Sequence, residues 1–153
     1  MGSSDWITII GSAITVISMA VSIRQAKSAR KSSRDAMRAK VAVQLAALGE
    51  RLKSTQEHIR DIAPSKAQVR GYDVGNRFDL ILREFDNVLS ALPKVGPGSA
   101  ARKILTQAQT KLNDYEETFN FGPDSETWRE LQVLVQDTIS ELLTSSTGIG
   151  GYK

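Results

Sequence analysis

Three places in the sequence hold residue types that can do chemistry. Arg51 and His58 stand seven positions apart, so on a helix they share one edge. Gly96-Pro97-Gly98-Ser99-Ala100-Ala101-Arg102-Lys103 is a Gly-rich turn feeding a helix N-terminus. Free N–H groups at such an end attract anions, and Ser99, Arg102 and Lys103 are placed to help. It is not a Walker motif, because the Lys does not follow the required Gly. Arg70-Gly71-Tyr72 through Gly75-Asn76-Arg77 joins two Arg and an aromatic on flexible backbone. Arg70, Tyr72, Asn76 and Arg77 could hold a nucleotide there. Each place also has a plain reading: an exposed pair beside a packing seam, a loop capped by Ser99, and a surface connection.

The Arg, six intervening residues and His of Arg51–His58 resemble the ribonuclease motif of the HEPN helical domains. In that family the pair polarises a phosphate and moves a proton; here Leu52 stands where the family favours a polar residue. No catalytic residue and no enzymatic activity are expected of this chain.

These places need elements to position them. The first is Trp6–Ile23, which carries no charge over 18 residues. At 1.5 Å per residue such a helix covers roughly 27 Å, close to the ~30 Å hydrocarbon core of a bilayer. It reads as one membrane-spanning helix, with Asp5 at its start and Trp6 in the headgroup layer. A signal peptide fits less well, because the basic block follows the apolar run instead of preceding it, and a helix buried in a soluble assembly is the other reading that so short a run allows. Positive flanks stay inside, so the N-terminus is expected outside and everything from Arg24 onward in the cytoplasm. Thr8, Gly11, Ser12, Thr15, Ser18 and Ser22 fall within about a third of the helix circumference. Small and hydroxyl-bearing residues let helices approach closely, so this face suits a homo-oligomer contact or the lining of a pore.

Residues 24–40 hold seven basic residues and one acid, a local net of +6 in a chain whose total is +3. Arg24, Lys27, Lys31, Arg34 and Arg38 advance by three or four, so a continuing helix puts them on one face. Anionic lipid headgroups are the nearest partner. No aromatic residue interleaves with them to stack bases, so DNA is not expected as a partner. Zero cysteines remove disulfides, thiol catalysis and Cys-based zinc sites, and a single His removes multi-His metal sites within one chain. No cofactor and no metal are expected.

The rest reads as helices. Val41, Leu45, Leu48, Leu52, Ile59 and Ile62 step by four and three, with Thr55 in the missing heptad place, until Pro64 closes the segment. Lys66–Asn76 reads as a loop. A second helix carries Phe78, Ile81, Leu82, Phe85, Val88, Leu89 and Leu92. Pro93–Gly98 breaks it. A third runs from Ser99 to Phe119. Gly122-Pro123 breaks that one, and Asp124 or Ser125 caps a fourth that runs to Leu143. The expected fold is all-α: a transmembrane helix over 1–23, a basic neck over 24–40, a bundle of about four helices over 41–143 and a flexible tail over 144–153.

A short span, a basic neck and a compact helical domain together resemble small bacterial membrane effectors of antiviral defence. In outline they are similar to the membrane-anchored cyclic-oligoadenylate effectors of type III CRISPR systems. The resemblance implies an oligomer whose helical domain binds a cyclic oligonucleotide and whose membrane part compromises the bilayer. A passive tethered adaptor that docks another protein is the alternative.

Overall fold

The computed structural model describes residues 3–66 and 74–150, with side chains for residues 22, 24–66 and 75–149. Helix α1 covers Ser3–Asp61, followed by a 3-10 turn at Pro64–Lys66. Helices α2 (Val74–Ala91), α3 (Ser99–Phe119) and α4 (Ser125–Gly150) complete the described elements. The chain divides into two compact units at residues 39 and 40. The first is the leading part of α1. The second holds the rest of α1 with α2, α3 and α4.

In the second unit four helices form a bundle, and the 3.5-residue pattern explains why. Leu45, Leu48, Leu52, Thr55, Ile59 and Ile62 are all buried along α1. Thr55 sits at a core position because its hydroxyl donates to the Arg51 carbonyl at 3.1 Å, so no polar group is stranded. Phe78, Ile81, Phe85, Val88 and Leu92 form the matching stripe of α2 and its end. Ala101, Leu105, Ala108, Leu112, Tyr115 and Phe119 do so on α3, and Leu131, Val135, Thr138, Ile139 and Leu142 on α4.

Cross-helix contacts give the order around the bundle. Arg51 pairs with Glu84 between α1 and α2 at 2.8 Å. Gln109 donates to Asp86 between α3 and α2 at 2.7 Å. Lys111 meets Glu130 between α3 and α4 at 2.6 Å. Gln56 donates to Gln136 between α1 and α4 at 2.9 Å, closing the ring. Each helix therefore neighbours the next in sequence, the arrangement that short connections impose. One end of the core is aromatic: Phe78, Tyr115 and Phe119 pack with centroids 5.5 to 6.0 Å apart. Tyr115 is fully buried and its hydroxyl donates to the Ile62 carbonyl at 2.7 Å. Among the described residues no buried side-chain nitrogen or oxygen lacks a partner.

The loop between α2 and α3 turns on Gly98, whose φ of 89° is a left-handed conformation that side chains resist. A β-carbon there would also lie 2.9 Å from Leu45 Cδ2. The close approach of the turn to the core thus requires glycine.

Asp124 caps α4. Its carboxylate accepts from the Glu126 N–H at 3.0 Å, the Thr127 N–H at 3.3 Å and the Thr127 hydroxyl at 2.6 Å. The Thr127 hydroxyl bond leads in holding this carboxyl below the usual aspartate range, joined by the two backbone N–H bonds and the Lys111 charge. A carboxyl depressed in the folded state stabilises fully above its unfolded value. That stability is lost as the pH falls through the ordinary aspartate range and below. Thermal melts taken through the acid range are expected to show this loss in the wild type and less of it in Asp124→Asn, which keeps a capping oxygen that does not titrate.

Two boundaries differ from expectation. Helix α2 begins at Val74, so Asn76 and Arg77 lie on a helix and not in a loop. Helix α4 runs through Gly150, past the tail expected from Thr144. Ser146 and Thr147 hydroxyls bond back to the Leu143 carbonyl at 2.7 and 3.2 Å, and Ile149 packs against the core. The apolar rhythm thins there, but hydroxyls folded onto their own helix expose little polar demand.

Among the described residues no helix is long and apolar enough to cross a membrane. The side chains of residues 3–21 and 23 lie outside the described set. The spanning helix expected over Trp6–Ile23 has no support from the described residues.

Candidate functional site

The first unit offers charge. Arg24, Lys27, Lys31, Arg34 and Arg38 are all exposed on α1. Advanced at 100° per residue, they occupy about 120° of the helix circumference together with Arg30. Sequence spacing by threes and fours found five of them and missed Arg30, which sits at the edge of the same arc. No acid opposes them from 24 to 34, and Asp35 is the one carboxylate in the segment.

The other side of this helix carries a signal that reading the apolar run alone overlooks. Thr8, Gly11, Thr15, Ser18 and Ser22 repeat by three and four, and the repeat continues as Gln25, Ala29, Ser32, Ala36 and Ala39. Ser22 and residues 25–39 are exposed, whereas the side chains of Thr8, Gly11, Ser12, Thr15 and Ser18 lie outside the described residues. Between residues 22 and 39 this row, of which Gln25 is the one long member, stays clear of the cationic arc.

In the bundle, the three places singled out by residue type fare differently. At the turn before α3 the N-cap is Gly98, not Ser99, and no side chain caps it. The Ser99 N–H donates to the Gly96 carbonyl and the Arg102 N–H to the Gly98 carbonyl, both at 3.0 Å. The Arg102 guanidinium points back to the end of α2. It donates to the Leu89 carbonyl and, at 2.8 Å, to the Leu92 carbonyl. These are acceptors that a helix C-terminus leaves unpaired, and a cation there also opposes the helix dipole. Arg102 is therefore a clamp on α2, and Lys103 stands exposed beside it. Arg102→Ala is expected to lower stability by about 1–2 kcal/mol in urea denaturation, since it strands carbonyls at a helix end. Lys103→Ala, on open surface, is expected to change it by under about 0.5 kcal/mol.

Arg70 and Tyr72 lie outside the described residues. Asn76 is exposed on α2. Arg77 is turned to the α1/α2 seam, where its guanidinium donates to His58 Nδ1 at 3.2 Å and lies 3.5 Å from Asp61. Asp61 in turn accepts from Lys66 at 2.7 Å. That Lys66 hydrogen bond leads in holding the Asp61 carboxyl below its usual range, with the charges of Lys66 and Arg77 adding to it.

Arg51, Ser54, Thr55, His58, Leu80 and Glu84 line a groove of about 300 Å³ along the same seam. Arg51 and His58 do share one edge, as their spacing requires. Both are committed to α2: Arg51 to Glu84 and His58 to Arg77. The network reads as a polar zip between two helices.

No family model, no curated protein and no solved structure matches this chain. No functional residue comes to this chain from a relative. Among the described residues no group of three or more His, Cys, Asp or Glu could hold a metal ion.

Proposed function

We propose that this protein is a membrane-tethered, self-associating helical adaptor. Trp6–Ile23 is its span, the cationic arc from Arg24 to Arg38 rests on anionic headgroups, and the bundle docks a protein partner on the inner side. One observation carries the reading. An uncharged stretch of 18 residues runs directly into a helix whose six cations crowd one exposed side. Each such cation contributes about 1 kcal/mol beside an anionic leaflet. The small and hydroxyl-bearing face of Thr8, Gly11, Ser12, Thr15, Ser18 and Ser22 supports close association of copies within the span.

The effector reading, with a cyclic oligonucleotide sensed by the bundle, draws less from the geometry. It relied on Ser99 and Arg102, whose backbone and guanidinium groups are spent inside the fold, and on Arg77, which is held by His58 and Asp61. Lys103 and Asn76 alone do not make an anion cradle. The ribonuclease reading meets the same difficulty at Arg51 and His58.

Flotation on liposomes after alkaline extraction tests the tether. The full chain is expected to remain with the lipid and a chain lacking residues 3–23 to wash away. A full chain that stays soluble and monomeric without detergent would overturn the reading. A fluorescent reporter fused after Lys153 that matures only in the cytoplasm is expected to glow.

A further inference from the structure

Arg30-Lys31-Ser32-Ser33-Arg34 sets two adjacent serines directly behind two cations and ahead of a third. Both serines are exposed on α1. Around the helix they fall outside the cationic arc, so a lipid surface that engages the cations leaves them open to solvent. Two consecutive serines are also weak helix formers in a stretch from Arg24 to Ala39 built mainly of Ala, Arg and Lys. An enzyme that binds its target in extended form needs the helix to open locally, and such a pair lowers the cost of that opening.

We propose that Ser32 and Ser33 are phosphorylation sites for an ATP-dependent serine kinase that selects cations ahead of its target, and that phosphate there releases the helix from anionic lipid. The step is a phosphoryl transfer. The bond between the γ-phosphorus of ATP and its bridging oxygen breaks, a bond from serine Oγ to that phosphorus forms, ADP leaves and the hydroxyl proton passes to the kinase base and solvent. Each phosphate brings about −1.5 to −2 charge. Two of them reduce the segment's +6 to roughly +2 to +3. A phosphate on Ser33 also lies one helical turn from Arg30, close enough to pair with it and withdraw it from the headgroups.

This inference rests on the headgroup contact proposed above, and the experiment separates the two. The chain has no cysteine, so Met37→Cys in the full-length protein takes a single environment-sensitive dye on the exposed side of α1. The protein is reconstituted in phosphatidylcholine vesicles with and without phosphatidylglycerol. Dye emission is expected to shift to the blue with phosphatidylglycerol. It is expected to return after treatment with a basophilic serine kinase and ATP, with phosphate found on Ser32 or Ser33 by mass spectrometry. Ser32→Asp with Ser33→Asp is expected to weaken the contact about thirtyfold, from about fivefold per charge, while Ser32→Asn with Ser33→Asn leaves it unchanged. If the wild type responds to phosphatidylglycerol but phosphate goes elsewhere, or the Asp variant behaves like the Asn variant, the switch is wrong and the headgroup contact stands. If wild-type emission is the same in both vesicles, the headgroup contact is wrong and the switch goes with it.

Discussion

Replacing Arg24, Lys27, Lys31, Arg34 and Arg38 with Gln is expected to weaken binding to anionic vesicles by roughly a thousandfold or more at low salt. The measurement is made on a chain shortened to start at Arg24, so that electrostatics is read without the span. Five cations near an anionic surface contribute about 5 kcal/mol together, and among the described residues no other segment concentrates charge of one sign on one exposed face so tightly. Gln keeps the helix propensity, so the loss reports charge and not unfolding. Raising salt from low to physiological strength is expected to weaken the unsubstituted chain and leave the Gln variant little changed, since screening acts on exposed charge. Equal binding to neutral and anionic vesicles by the unsubstituted chain would remove the headgroup role altogether.

Tyr115→Ala is expected to cost about 5 kcal/mol in chemical denaturation, enough to unfold a bundle of this size at moderate temperature. Two losses combine. The ring leaves a void between Phe78 and Phe119, and the Ile62 carbonyl loses its donor in a dry setting. Tyr115→Phe separates them: it keeps the ring and removes only the hydroxyl, so about 1–2 kcal/mol is expected. The phenol also answers to alkali. Burial pushes its ionisation upward, with the Asp124 carboxylate adding to the effect. Above the ordinary tyrosine range the unfolded chain gives up that proton while the fold retains it, so stability falls as the pH rises. Tyr115→Phe is expected to lack that part of the alkaline slope. An alkaline profile that is the same in both proteins would place the phenol in water.

The bundle was legible because its signal is redundant. Leu45 to Ile62 repeats at helix spacing, Pro64, Pro93–Gly98 and Gly122-Pro123 punctuate, and Asp124 caps where a cap was expected. Even Thr55 occupied the core place its spacing assigned. Boundaries were harder. At the start of α2 the local sequence favours a loop because of Gly75, yet the apolar stripe behind it pulls the first turn into the helix. At the far end of α4 small polar residues favour a tail, although their hydroxyls are satisfied on their own backbone.

The candidate site was legible only in residue type. Arg102 was visible as a cation near a helix start, and nothing in the sequence told whether it faced solvent or folded back thirteen residues to Leu89. Arg77 raises the same difficulty: its partner His58 belongs to another helix. A basic side chain has several ångströms of reach, so its partner is set by tertiary placement. The cationic arc was the exception, since every member of it lies on one helix and local geometry alone fixes which side each one takes.

Where a described core position holds only an apolar side chain, its main requirement is volume. Leucine, isoleucine, valine and methionine can trade places across such positions at modest cost, provided the total bulk is kept. Tyr115 and Gly98 stand apart from that freedom, because one supplies a hydrogen bond and the other a backbone conformation.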